Sequence, residues 1–345
     1  MPESTPPPVA ALAQTAAASG ALGAANLVKR QQLLASVQAR PSRLVVVTGT
    51  GVTLQSVGHP APGTDVASWP GLLANGLQRC RAAHLIDEDD AKVVEFLIQQ
   101  KKSDYFIQAA SKIHESLDKQ SNGRLWWMKE SIGRLKVSDP RLIKAILALN
   151  GLVATLNYDT TINQVSGLPA LHWKQQNEID KRINDRDFTL HLHGCVDDIE
   201  SIILDHKSYE MISNHEQMHD LLRRFSRWET MLFIGCRQTF LDPNFQALLS
   251  WAQKGLLGLE ARHFVLCRSG EEIDILKELR DHGYLTTLVY GDDHADLAPF
   301  LEQLATDAFG VTAYANPPTL PKAPVTPPSS NVRKPAELWK LLSRR

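Results

Sequence analysis

The stretch RLVVVTGTGVT (residues 43–53) joins a run of β-branched residues to a glycine turn. The run LVVV has the composition of a strand that is buried on both faces. Gly49 and Gly51 lack side chains, so the backbone can turn tightly where this strand ends. We therefore predict that residues 43–47 form a strand of an interior sheet and that the chain leaves it through a glycine turn.

Five further runs along the chain have the same apolar or β-branched character. They lie at residues 152–156, 188–193, 230–235, 263–267 and 285–290. Each run is followed by a polar loop and then by residues with helical spacing, and we predict helices at 243–254 and 271–282. Apolar strands that alternate with helices are typical of a parallel sheet covered on both faces. We expect an α/β fold with a doubly wound, mostly parallel, Rossmann-like sheet.

Residues 85–138 interrupt this alternation, because they contain no strand candidate. The segments AKVVEFLIQ (residues 91–99) and YFIQAASKIHESL (residues 105–117) have helical spacing. We predict a helical subdomain at about 85–138, inserted into a sheet domain of residues 43–310.

Both ends of the chain are expected to be flexible tails. Residues 1–42 are rich in alanine and proline, and residues 311–345 are rich in proline. The first tail does not resemble a secretory signal; an amphipathic transit peptide is the alternative, because its basic residues outnumber its acids. In the second tail, the short amphipathic segment 338–342 is either a docking motif for a protein partner or part of the disordered tail.

Composition narrows the classes of partner. Lys and Arg number 37 and Asp and Glu number 38, so no basic field attracts nucleic acid or a membrane surface. The four cysteines lie far apart and form no C-x-x-C pair, which argues against a zinc module and a disulfide framework. They are Cys80, Cys195, Cys236 and Cys267. We expect a cytoplasmic protein with reduced thiols and no membrane span.

Glycines and polar residues follow the predicted strands, where parallel sheets place their ligands. The glycine turn at 49–51 would present backbone N–H groups to a pyrophosphate. G-x-G alone is a weak signal, and Leu54 replaces the third glycine of the dehydrogenase fingerprint. Asn157 and Asp159 alternate after the second strand; they suit ribose hydroxyls, or they cap the next helix. Similar turns follow two later strands, at Gly235–Cys236 and Gly291–Asp292.

HLHG (residues 191–194) places two histidines on alternate residues. One interpretation is a metal pair, with Asp205 or His206 as a further ligand. A second is that both rings are packed in the core. A third is that His193 is a catalytic base and His191 supports it.

The ordered set VVVTGTGVT, LNYD, HLHG, FIGC, DPNF and YGDDHADL resembles the sirtuin-like NAD-binding proteins over roughly residues 43–310. The similarity is to the divergent, zinc-free branch that includes bacterial antiphage-defence proteins and filament-forming relatives. The resemblance implies that His193 and Asn157 are catalytic. It also implies a set of NAD-binding residues: Gly49, Thr50, Gly51, Val52, Thr53, Trp69, Asp159, Gly235, Cys236, Gly291 and Asp292.

Departures from the classical members of that family bear on the reaction. The chain lacks both C-x-x-C pairs and the Pro-Phe-Arg stretch of the deacylases, so deacylation is disfavoured. The resemblance implies a metal-free NAD glycohydrolase that releases nicotinamide and ADP-ribose, acts as a homo-oligomer or filament, and serves immune defence by depleting NAD. The alternatives are an NAD-binding scaffold with little turnover and an ADP-ribosyltransferase.

Overall fold

The computed structural model of the protein describes residues 9–39, 42–58, 65–236, 262–278 and 283–310. The strands are β1 (Leu44–Thr48), β2 (Leu152–Thr155), β3 (Ala170–His172), β4 (Thr189–His191), β5 (Thr230–Ile234), β6 (His263–Arg268) and β7 (Leu285–Gly291). The helices are α1 (Val9–Gln38), α2 (Thr50–Val57), α3 (Trp69–Ala82), α4 (Glu88–Gln99), α5 (Ser103–Leu117), α6 (Gly123–Glu130), α7 (Arg141–Ala148), α8 (Thr161–Ser166), α9 (Gln176–Arg182), α10 (His206–Ser213), α11 (Glu216–Trp228), α12 (Glu272–Glu278) and α13 (Leu297–Phe309).

The strands form one parallel sheet in the order β3-β4-β2-β1-β5-β6-β7. β1 lies at the centre, where Val46 aligns with Val153 on one side and Leu232 on the other. The chain first adds strands beyond β2 and then crosses to the far side of β1 for β5. This reversal opens a crevice at the carboxyl ends of the central strands. The predicted doubly wound sheet is confirmed, and β3 is a short edge strand that the sequence did not signal.

β1 shows why its composition marks an interior strand. Its residues alternate between two hydrophobic clusters, with Val45 and Val47 on one face and Leu44 and Val46 on the other. All five residues of the strand are buried. Helices α7 and α13 cover the second face, while α11 packs against the first.

The amino-terminal segment is where the sequence-based expectation is wrong. Residues 9–38 form α1 instead of a flexible tail, and Leu33 and Val37 are completely buried. The Asn26 side chain donates to the Val289 carbonyl (3.0 Å) and accepts from its N–H (2.9 Å). The amide thus pairs with the outer edge of β7 as a neighbouring strand would. Alanine-rich composition does not reveal such long-range contacts.

Helices α3 to α6 pack around their own core, which includes Leu73, Leu77 and Trp127. This helical subdomain begins at Trp69, earlier than the predicted boundary near residue 85, because α3 packs against α4 and α5. Of the adjacent tryptophans, Trp127 is fully buried and Trp126 is 59% exposed.

Several expectations fall outside the described residues: the helix at 243–254, the DPNF stretch, and the tail 311–345 with its amphipathic segment. Within the part of the chain that the structure describes, none of the helices combines the length and apolar character that crossing a membrane requires.

Candidate functional site

Two adjoining cavities form a cleft at the carboxyl ends of the central strands. The first, of about 270 Å³, lies between the end of β2 and the helical subdomain. The second, of about 380 Å³, lies between α2 and the ends of β5, β6 and β7. Thr50, Ser68 and Pro70 line both cavities, so the cleft is continuous across the glycine turn. It coincides with the reversal of the sheet's winding.

The first cavity has a polar floor and an apolar wall. Asn157, Asp159 and His193 supply the floor. The wall is built largely from apolar and aromatic side chains: Ala67, Trp69, Leu72, Phe106, Ile132, Leu156 and Tyr158. The Trp69 and Phe106 rings lie 5.2 Å apart between centroids. The polar groups come from the sheet, and much of the apolar surface comes from the helical subdomain.

A hydrogen-bonded relay fixes the orientation of Asn157. Its Nδ2 donates to Thr53 Oγ1 (2.9 Å), and the Thr53 hydroxyl donates to Asp159 Oδ2 (2.7 Å). The other oxygen of Asp159 accepts from the Thr161 N–H (2.9 Å), at the start of α8. This bond fixes which end of the amide carries the oxygen, and Oδ1 has no hydrogen-bond partner among the described residues.

Asn157 and Asp159 therefore converge, as their alternation in the sequence predicted. Asp159 holds the start of α8, as the capping interpretation predicted, and its other oxygen accepts from the Thr53 hydroxyl; ribose binding by this residue stays a prediction. Thr53, by contrast, is buried behind the floor, with its hydroxyl turned to Asn157 and Asp159. This hydroxyl is thus used within the protein, and the predicted contact of Thr53 with NAD stays a prediction.

The two histidines of HLHG have different environments. His191 is fully buried; its Nε2 lies 3.1 Å from Asn163 Oδ1, and its Nδ1 lies 3.3 Å from the Asn157 main-chain oxygen. Burial lowers the pKa of His191 to about 4, so the ring is neutral near pH 7 and supports the chain at Asn157. His193 lies two residues beyond β4 and lines the first cavity. Of the pair, only His193 contributes to the lining of the cavity.

The metal interpretation finds no support in this geometry. Asp205 accepts from His114 (2.7 Å) and from Ser208, and it does not join the HLHG histidines. Across the described residues, no group of three or more His, Cys, Asp or Glu side chains is arranged to hold a metal ion.

The glycine turn has a role that the sequence did not predict. The Gly49 N–H donates to the Ile234 carbonyl (2.9 Å), and the Gly51 N–H donates to the Gly235 carbonyl (3.1 Å). A Cβ on Gly49 would lie 2.6 Å from the Gly235 oxygen. These two amides are therefore used to join β1 and β5, and they are not offered to a ligand. Small residues are required here because two backbones meet.

Some of the remaining turn residues line the second cavity, and others are buried in the core. Gly51, Gly235 and Cys236 line the second cavity, whereas the Val52 side chain is buried in the core. Burial raises the pKa of Cys236 to about 12, so this thiol remains protonated and supplies no nucleophile. Gly235 has a φ of +67°, a conformation that favours glycine.

Gly291 and Asp292 are two further residues for which NAD binding is predicted. Both residues shape a turn in which the Asp292 N–H donates to Asp296 Oδ2 (3.0 Å), and neither lines the cavity. Their neighbours Tyr290 and His294 do line it, with the Tyr290 hydroxyl 3.3 Å from His294 Nδ1. The turn therefore lies beside Tyr290, whose aromatic side chain lines the cavity.

Sequence reasoning missed other residues of the cleft. Arg268 and Glu271 pair at the end of β6, with Arg268 Nη2 2.6 Å from Glu271 Oε1. Their position after a predicted strand was an available signal. Lys101, Ser103 and Phe106 enter the first cavity from the helical subdomain, and no local motif marks them.

A doubly wound parallel sheet with a two-part cleft at its switch point defines a nucleotide-binding α/β protein. Residues 151–286 match the family model of the SIR2-like domain. This match supports a sirtuin-like family for the chain, in agreement with the resemblance inferred from its motifs. The matched stretch contains Asn157, Asp159 and His193, and a SIR2-like domain implies that NAD is involved in the function.

Proposed function

We propose that the protein is an NAD glycohydrolase, which cleaves the bond between nicotinamide and ribose and releases ADP-ribose. The observation that carries the proposal is the first cavity, where Asn157 and His193 meet on one floor beneath an apolar wall. The two-part cleft also suits a dinucleotide, with nicotinamide in the first cavity and adenosine in the second.

The apolar wall favours bond breaking. In NAD the nicotinamide ring carries a positive charge, which it loses when the glycosidic bond breaks. A cavity walled by Trp69, Phe106 and Ile132 stabilises the neutral product better than the charged ring, because burying an unpaired charge is costly. The cavity therefore binds the nicotinamide ring more tightly as the glycosidic bond breaks.

The polar floor suits the attack of water on the ribose. As the bond from C1′ to the nicotinamide nitrogen breaks, its electron pair leaves with nicotinamide, and a water oxygen forms the new bond to C1′. Asn157 Oδ1 accepts a hydrogen bond from this water or from a ribose hydroxyl. His193 accepts the proton that the water loses. One water is consumed, and nicotinamide, ADP-ribose and a proton are formed.

The segment after His193 supports hydrolysis over deacylation. Cys195 and Asp198 form an isolated antiparallel β-bridge, and a short 3₁₀ helix spans Ile199–Ser201. The Ile203 N–H then donates to the His193 carbonyl (2.9 Å). The chain thus returns to the catalytic turn within ten residues. The classical deacylases, in contrast, carry a zinc module that forms part of their acyl-lysine cleft.

The test is to incubate the purified protein with NAD at high protein concentration and to separate the products by chromatography. We expect nicotinamide and linear ADP-ribose from the wild type. His193→Ala and Asn157→Ala should each lower turnover by at least about 100-fold, the usual effect of losing a catalytic acid–base or stabilising group.

His206→Ala, at an exposed position, and Asn75→Ala, at a half-buried one, change residues outside both cavities; they serve as matched controls and should keep wild-type activity. Thermal unfolding checks that each variant is folded. Wild-type turnover in a folded His193→Ala protein would refute the assignment, and a protein-bound or cyclic product would indicate transfer or cyclisation instead.

We also propose that turnover depends on self-assembly and serves defence by NAD depletion, as the resemblance implies. Exposed Trp126 and Trp228, at 59% and 64%, support a contact surface. Size-exclusion chromatography with and without NAD, with nicotinamide release measured in each fraction, separates the cases. Intact NAD in every assembly state would favour the scaffold alternative.

A further inference from the structure

A third cavity, of about 300 Å³, lies where the helical subdomain meets the segment that follows His193. Helices α5, α6 and α10 line it, together with residues 199–202. It shares no lining residue with either part of the NAD cleft. The proposed reaction therefore leaves this cavity unexplained.

Three basic side chains from three helices line the cavity. His114 comes from α5, Arg124 from α6 and Lys207 from α10. Arg124 uses its Nε to pair with Asp118 Oδ1 (2.7 Å). The N–H groups on its two terminal nitrogens therefore remain for a ligand. Lys207 makes no ion pair with any residue that the structure describes.

The orientation of His114 is fixed by its surroundings. Only 8% of the residue is exposed; its Nδ1 lies 2.7 Å from Asp205 Oδ2, and its ring packs edge-on against Trp127. Nε2 has no hydrogen-bond partner among the described residues. A nearly buried imidazole is thus held with one nitrogen available at the cavity wall.

The nearest carboxylate, Asp205, is bonded to protein donors. Asp205 accepts from the Ser208 N–H (2.9 Å) and the Ser208 hydroxyl (2.7 Å) as well as pairing with His114. Burial raises the pKa of Asp205, but these hydrogen bonds outweigh that effect and hold the pKa well below its usual range. Its charge is directed to protein groups, and exposed Glu200 is the other acid in the lining.

We infer that this cavity binds a small organic phosphate, whose phosphate oxygens accept from Arg124 and Lys207 while His114 Nε2 accepts from a hydroxyl of the ligand. Charge-assisted donors converging from several elements are the usual recognition of a phosphate. Met128 and Met211 line the same cavity and provide an adaptable apolar surface for the carbon skeleton. Residues 199–202 form part of the wall, so the ligand would contact the segment that holds His193.

Isothermal titration with glycerol 3-phosphate, in a phosphate-free buffer, tests the site in the full-length protein. We expect saturable binding to the wild type, weakened about tenfold or more by Lys207→Ala and by Arg124→Ala, because each removes a charged hydrogen bond. Lys129→Ala is the matched control on α6, since Lys129 does not line the cavity. Glu200→Gln should tighten binding by removing a repulsive charge.

Asn157→Ala and Arg268→Ala, both in the NAD cleft, should leave this binding unchanged, so the result does not depend on NAD turnover. No heat of binding at millimolar ligand would overturn the inference. Loss of binding in Arg268→Ala but not in Lys207→Ala would also overturn it, because the phosphate would then occupy the NAD cleft.

Discussion

At the scale of single residues, the site depends on how Asn157 is oriented and on which of the two HLHG histidines reaches the cavity. The Thr53 hydroxyl accepts from the Asn157 amide nitrogen, which fixes the orientation of the amide and the position of its oxygen. Burial keeps His191 neutral and engaged, so His193 is the histidine of the pair that reaches the cavity. Thr53 and His191, which lie behind the cavity floor, therefore determine which polar groups the floor presents to a ligand.

Replacing Thr53 with valine tests this relay. Thr53→Val keeps the shape of the side chain but removes its hydroxyl, so Asn157 loses its orienting partner. We expect the kcat for nicotinamide release to fall by at least about tenfold, because the Asn157 amide is no longer held in the geometry that the reaction requires. KM should change little, because the surface that binds NAD is retained. Thr53→Ser keeps the hydroxyl and should restore most of kcat.

Thr48→Val is the matched control, because Thr48 is also fully buried but donates to the Ala154 carbonyl, away from the floor. Circular dichroism establishes whether each variant is folded. If Thr53→Val turned over NAD like the wild type, Asn157 would not need the relay.

At the scale of elements, the turn after β4 fixes the position of His193. Gly194 has a φ of +89°, and a Cβ there would lie 2.1 Å from the Ser201 carbonyl oxygen. The turn and the returning segment Ile199–Ser201 thus pack backbone against backbone. Residues with larger side chains would displace the segment together with His193.

Gly194→Ala should therefore destabilise the protein by more than the backbone strain alone. Gly270 also has a positive φ, +84°, but a Cβ there meets no atom within 4 Å. We expect Gly270→Ala to cost about 1 kcal/mol, the strain of a left-handed alanine, and Gly194→Ala to cost at least about 2 kcal/mol more. Urea unfolding measures both, and equal costs would contradict the packing argument.

The β5–β6 pair contains a buried histidine that makes stability depend on pH. His263 Nδ1 accepts from the Met231 N–H (3.1 Å), and Nε2 donates to the Ser226 carbonyl (3.1 Å). This pattern requires the neutral ring, and burial lowers the pKa of His263 to about 4. In the unfolded chain a histidine has a pKa near 6.5, so between these values the unfolded state binds the proton and the folded state does not.

Stability should therefore be complete above about pH 6.5 and fall as the pH decreases towards 4. The expected loss is about 2 kcal/mol by pH 5 for each fully buried histidine of this kind. Urea unfolding at pH 7 and pH 5 measures the loss, and His263→Gln should reduce it by removing one titrating group. An unchanged pH dependence in that variant would mean that other groups are responsible.

At the scale of the whole molecule, α1 closes one edge of the fold. Its residues Leu33 and Val37 enter the same hydrophobic cluster as α13, and Lys29 donates to the Thr287 carbonyl of β7 (2.9 Å). The helix thus covers both a hydrophobic face and a strand edge that would otherwise be open.

Leu33→Ala should lower the free energy of unfolding by about 2–5 kcal/mol, because it leaves a cavity at a fully buried position. Leu27→Ala is the matched control on the same helix; Leu27 is 64% exposed, so we expect a change within about 0.5 kcal/mol. Chemical denaturation distinguishes the two, and a negligible effect of Leu33→Ala would mean that α1 contributes little to the folded core.

The local signals of the sequence predicted the central strands, because a strand buried on both faces must be apolar throughout. β3 has three residues, too few to show a pattern. Asn157, Asp159 and His193 were predictable because they follow strands, whose carboxyl ends share one edge. Phe106 lies far from any such motif, and its place in the first cavity follows from the packing of α5.

By itself, the sequence determined the doubly wound sheet, its sirtuin-like motifs and the edge at which the ligand is expected, since each depends on residues close together in the chain. The tertiary structure alone decided the rest. The Gly49 and Gly51 amides join β1 to β5, Thr53 turns away from the cleft, and Asn26 caps an edge 263 residues distant. These contacts depend on which distant segments meet, and local composition carries no record of that.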